Sequence, residues 1–125
     1  MLRGLPCSGK TTAALRLCEE TGGVRVSWTE MRQGGASCAE AMLWCASIVR
    51  DTLRSGGTAV VDECNLYGPS FFFLQTTGEM EGVHPEWQTV RCGVEECKRR
   101  CRESGGNAAD EKFIEILALD YLLFE

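Results

Sequence analysis

The chain has 125 residues, 44% hydrophobic and 25% charged, which suits a single domain over 1–125 with a modest core. Its net charge of −5 argues against a protein that coats nucleic acid through a broad basic surface, although a local patch can still meet a few phosphates. No apolar run reaches the roughly 20 residues that span a membrane, so no membrane partner is expected.

In chain order, residues 1–3 read as the stub of a strand. Gly4-Leu5-Pro6-Cys7-Ser8-Gly9-Lys10-Thr11 then fits G-x-x-x-x-G-K-[ST] at every fixed position. That spacing has a chemical reason. Glycines let the backbone curl around a phosphate with successive N–H groups turned inward. The helix that follows aims its positive end at the same anion. Lys10 should reach the β- and γ-phosphates of ATP or another nucleoside triphosphate, and the Thr11 hydroxyl should ligate Mg²⁺. The expected nucleotide-binding set is Gly4, Pro6, Cys7, Ser8, Gly9, Lys10, Thr11 and Thr12.

A helix is predicted over 8–20, with Ala14, Leu17 and Cys18 on one face, and Gly22-Gly23 closes it. A strand follows over 24–28. After the break at Gly34-Gly35, a longer helix runs over 37–54, with Cys38, Met42, Cys45, Val49 and Leu53 on one stripe. Residues 58–62 form a short buried strand ending in Asp62 and Glu63. A carboxylate at such a strand tip can hold the metal, which makes Asp62 the first candidate and Glu63 the next.

A helix is expected over 69–79, a strand over 87–92, a basic helix over 94–102 and a final helix over 108–124. Strands alternating with helices imply an α/β fold: a short parallel sheet with helices on both faces. The final helix carries too many apolar residues for one core face. It is either sandwiched between elements or part of a homodimer contact.

Eight cysteines are many for this length. With no CxxC pair and no signal peptide ahead of Gly4, the reading is a cytoplasmic protein with reduced thiols in its core. Cys92, Cys97 and Cys101, with His84 nearby, form an alternative metal set. The aromatics Trp28, Trp44, Phe71, Phe72, Phe73 and Trp87 read as core, with Trp28 a candidate for base stacking.

The phosphate loop, with Arg3 before it and Pro6 inside it, resembles that of the polynucleotide-kinase-like P-loop kinases. So does the segment Asp62-Glu63-Cys64-Asn65-Leu66. The resemblance implies a P-loop NTPase fold of about four strands in the order 2-3-1-4. It also implies transfer of the ATP γ-phosphate to a hydroxyl acceptor, the 5′-hydroxyl end of RNA or DNA, in a cytoplasm that would be the host's for a phage-encoded chain. Arg32 stands where that family contacts the acceptor phosphate. Thr29 stands where its catalytic aspartate is expected, with Glu30 next to it. Either Glu30 is the base, or the acceptor differs, or the chain no longer transfers phosphate. The same resemblance implies a basic lid among Lys98, Arg99, Arg100 and Arg102, with Arg99 the first choice and Arg102 the second. Thr11 and Asp62 would hold Mg²⁺. Two rivals remain: a small-molecule or modified-base kinase of the same fold, and a nucleotide-binding interaction protein without activity.

Overall fold

A computed structural model describes residues 1–63 and 69–124, with side chains described through Glu63 and over 72–119. Cys64, Asn65 and Leu66, which carry part of the family resemblance, lie outside the described residues, as do the side chains of Phe71 and of residues 120–124.

Ten elements follow in the order β1 Leu2–Arg3, α1 Lys10–Thr21, β2 Val24–Val26, α2 Trp28–Gln33, α3 Cys38–Arg54, β3 Ala59–Val61, α4 Pro69–Met80, β4 Gln88–Thr89, α5 Val94–Glu103 and α6 Ala108–Phe124. The strands pair in parallel as β1 with β4 and β2 with β3. A single sheet of about four strands was expected. The ladders here form two pairs, and β1 meets β3 through side chains: Leu2 and Val60 share one cluster with Ala14 of α1. Strands of two or three residues offer few backbone groups for a continuous ladder.

Alternation along β3 explains how helices cover both sides. Val60 packs towards α1, while Val61 packs with Val26, Cys45, Val49 and Leu74 of β2, α3 and α4. A third cluster joins Leu5 to Cys97 and Cys101 of α5 and to Ile114, Leu117 and Ala118 of α6. It seats α5 beneath the loop that follows β1.

Several expectations need correction. The second strand ends at Val26, because the Ser27 hydroxyl accepts from Glu30 N and caps a helix that was not foreseen. Trp28 therefore begins α2 instead of ending a strand. The buried stripe of α3 is Ala41, Cys45 and Val49, and Cys38 is exposed. Trp44 and Phe72 are 64% and 63% exposed, so they are not core. Trp44 sits about 100° around the helix from buried Cys45. Trp87 lies under the Arg3 guanidinium at 4.4 Å.

On α6, Ile114, Leu117 and Ala118 are buried against α5, while Phe113, Ile116 and Leu119 are exposed. Every described cysteine is a free thiol, with Cys45, Cys97 and Cys101 buried. Among the described residues, no three His, Cys, Asp or Glu side chains converge as metal ligands, and the suggested Cys92, Cys97, Cys101 and His84 set does not form. No described helix is long and apolar enough to cross a membrane.

Candidate functional site

The chain leaves β1 at Arg3 and turns tightly before α1 begins at Lys10, two residues later than the pattern suggested. Gly4 is required by contact: a Cβ there would lie 2.7 Å from the Val90 carbonyl oxygen, just beyond β4. Cys7 at φ 62° and Gly9 at φ 104° occupy the left-handed region on either side of Ser8. Alternation of this kind curls a backbone into a concave nest for an anion. Gly9 caps α1 without a side-chain acceptor, so the helix amides there are left for another partner.

The loop's own side chains divide. Cys7, Gly9, Lys10, Thr11 and Thr12 line a cavity of about 450 Å³, closed on its far side by Arg100, Glu103 and Ser104 of the α5 end. Gly4 and Ser8 are buried beneath it, and Pro6 is half-buried. The Ser8 hydroxyl is a buried group with no hydrogen-bond partner among the described residues. Lys10 folds back over the loop, and its ammonium donates to the Leu5 carbonyl at 2.6 Å.

Asp62 follows β3 and is 5% exposed. It accepts from the Thr11 hydroxyl at 3.0 Å, which joins the strand tip to the start of α1. It also accepts from Arg25 Nε at 2.8 Å. Arg25 reaches Glu30 with its other arm, so one guanidinium links both carboxylates. Burial works against the charge on Arg25, but the hydrogen bonds to Asp62 and Glu30 outweigh it and raise its pKa. Sequence reasoning missed Arg25. The available signal was a cation in the middle of a strand beside the acidic strand tip.

Thr29, in the place of the expected aspartate, is bound to a carboxylate. Its amide and hydroxyl donate to Glu63 at 2.8 and 2.9 Å. Arg32 is exposed and lies 5.2 Å over the Trp28 ring. The site edge thus holds Glu30, which shares Arg25 with Asp62, and Glu63, which Thr29 engages.

The basic helix sorts its cations by phase. Cys97 and Cys101 define the buried face of α5. Arg100 flanks that face and donates to the Ser8 carbonyl at 3.3 Å, while its Nε meets Glu96 at 3.0 Å. Arg99 points away, about 200° from Cys97, and pairs with Glu96 and Glu103. Arg102 pairs with Glu111 and Lys98 with Glu115, both bridging to α6. Hydrogen bonds from Arg99 and Arg100 hold the Glu96 carboxyl down to about 2. Of the four cations expected to form a lid, Arg100 is the one that reaches the loop, and not the favoured Arg99 or Arg102.

A second cavity, of about 580 Å³, is lined by Leu2, Leu53, Ala59, Leu74, His84 and Trp87 among others, and by none of the expected site residues. Chemically, the smaller cavity can take an anion: it combines a concave backbone, an ammonium, a guanidinium and a helix start. Beside it, Thr11 and Asp62 supply hard oxygens of the kind that suit Mg²⁺. No protein-family model matches this sequence, and a search of curated proteins returns no match.

Proposed function

We propose that the chain is a small P-loop phosphotransferase that moves the γ-phosphate of ATP, or another nucleoside triphosphate, to a hydroxyl acceptor. The observation that carries this reading is the 3.0 Å hydrogen bond from Thr11 to Asp62. It puts a metal-competent oxygen pair beside the curled loop, although the two residues are 51 positions apart.

In this reading the loop amides and Lys10 bind the phosphates. Lys10 exchanges the Leu5 carbonyl for phosphoryl oxygen when it does so. Thr11 and Asp62 would hold Mg²⁺, whose chemistry is to neutralise charge on the phosphates. Arg100 faces the same cavity and stabilises the charge that spreads over the transferring group. Arg32 orients the acceptor. Glu30, paired with Arg25, and Glu63, held by Thr29, are the two carboxylates able to take its proton. Positioning and charge neutralisation supply most of the rate.

The resemblance of the loop favours the 5′-hydroxyl end of RNA or DNA as acceptor. A nucleoside, a sugar or a modified base is the alternative. One observation favours a silent nucleotide-binding protein instead: Thr29 is no acid or base, and Glu30 is engaged by Arg25.

The test uses ATP labelled at the γ-phosphate with Mg²⁺ and a panel of acceptors: 5′-hydroxyl DNA, 5′-hydroxyl RNA, nucleosides and sugars. Label on an oligonucleotide 5′ end is the expected result. Label on a small acceptor alone would move the assignment to a small-molecule kinase. Tight ATP binding with no transfer to any acceptor would establish the silent binder, and no ATP binding would end the nucleotide reading.

A further inference from the structure

Cys7 sits at a place where a side chain is a liability. Its φ of 62° lies in the left-handed region, which is strained for a non-glycine residue and which glycine occupies freely. The side chain is exposed and faces the cavity, beside Lys10 and Arg100.

Across the cavity wall lies Cys101 of α5, with Cys7 among its neighbours. Two further contacts keep these segments together. Arg100, next to Cys101, donates to the Ser8 carbonyl, next to Cys7. Leu5 packs in the same cluster as Cys101. Gly106 leaves the space that the Cys101 sulfur fills, since a Cβ at 106 would collide with it.

We propose that Cys7 and Cys101 are a redox-active dithiol, and that a peroxide converts it to a disulfide that fastens α5 onto the phosphate loop and shuts the cavity. The exposed Cys7 sulfur attacks a peroxide oxygen. The O–O bond breaks, Cys7 becomes a sulfenic acid, and one water leaves. The Cys101 sulfur then attacks the Cys7 sulfur. The S–O bond breaks, and the departing hydroxide takes the Cys101 proton as a second water. Two thiols lose two electrons in all, and one hydrogen peroxide gains them.

Burial raises the Cys101 thiol and the nearness of Cys7 adds to that, so Cys101 suits the second step and the exposed Cys7 the first. Cross-linking removes the freedom of the loop and Arg100 to part and admit a polyphosphate. That consequence rests on the nucleotide reading above, whereas the disulfide itself does not.

The experiment treats the reduced full chain with equimolar hydrogen peroxide and maps tryptic peptides without reduction. Trypsin cuts after Lys98, Arg99 and Arg100, which separates Cys101 from Cys97. The expected product is a Cys7–Cys101 link two hydrogens lighter than the free peptides, reversed by dithiothreitol. Calorimetry on the same samples should show ATP affinity falling at least tenfold on oxidation and returning on reduction. Cys7→Gly, which suits the positive φ, and Cys101→Ala should each lose the link and the peroxide sensitivity. A link between Cys92 and Cys97, or Cys7 over-oxidised alone, would overturn the proposal. A Cys7–Cys101 link with ATP affinity unchanged would overturn the closure. Absence of ATP binding by the reduced chain would instead count against the nucleotide reading, with the peptide map still deciding the dithiol.

Discussion

The two strand pairs build two unlike sites. Around β1 and β4, the loop into α1 curls its backbone along the cavity, shaped by left-handed residues at Cys7 and Gly9 and by the contact that excludes a side chain at Gly4. Around β2 and β3, the edge is a side-chain network in which Arg25 links Asp62 to Glu30 and Thr29 holds Glu63. A backbone cradle depends on a few glycines at fixed spacing and tolerates variation elsewhere. A side-chain network depends on every partner, so a single replacement re-sorts its pairings. Asp62 belongs to both, because it also accepts from Thr11.

The sharpest way to break the comparison is to remove the one ammonium of the loop. Lys10→Ala should weaken ATP binding roughly 100-fold or more and abolish transfer, since charge-assisted hydrogen bonds to phosphate are lost. Calorimetry that finds unchanged affinity would remove the loop from the site. The next largest effect separates the cations of α5. Arg100→Ala should lower kcat by roughly a thousandfold, the scale of a transition-state arginine. Arg99→Ala should change it less than about fivefold, because its exposed ion pairs with Glu96 and Glu103 contribute little. A reversal of that order in steady-state kinetics would return the role to Arg99.

The smallest effect concerns stability and involves two of the buried thiols, Cys45 and Cys97. Burial pushes Cys45 up to about 11, helped by the charge of Glu63. Burial also pushes Cys97 up to about 12, helped by Cys92. Both folded values lie above the ordinary thiol value of 9.0. The unfolded chain therefore releases these protons first, and stability that is complete below pH 9 declines as pH climbs towards 11 and 12. The decline is on the order of 1 kcal/mol per pH unit for each thiol. Chemical denaturation at pH 8, 9 and 10 checks it, and Cys45→Ala or Cys97→Ala should each flatten the slope. A slope that neither variant alters would show that these thiols do not drive it.

Much of the secondary structure was legible because periodicity is local. The helices over 38–54, 69–80, 94–103 and 108–124 stand within two residues of their expected bounds. The short α2 was overlooked, although Ser27 followed three residues later by Glu30 is a helix-start pattern. The exposed Trp44 and Phe72 were misassigned because aromatic character says what burial would gain, and not which face of a helix meets a neighbour.

By itself, the sequence determined the longer helices of this protein and the place of its loop, for a physical reason: glycine spacing and helix phase act over a few bonds. Tertiary structure alone decided the partners. Arg25 meets Asp62 from 37 positions away, Thr29 meets Glu63 from 34, and Arg100 meets Ser8 from 92. Such pairings depend on how strands and helices are laid side by side, which local periodicity does not encode. The choice of Arg100 over its neighbours needed both kinds of information, because helix phase orders the arginines while only the packing of Cys97 and Cys101 says which phase faces the loop.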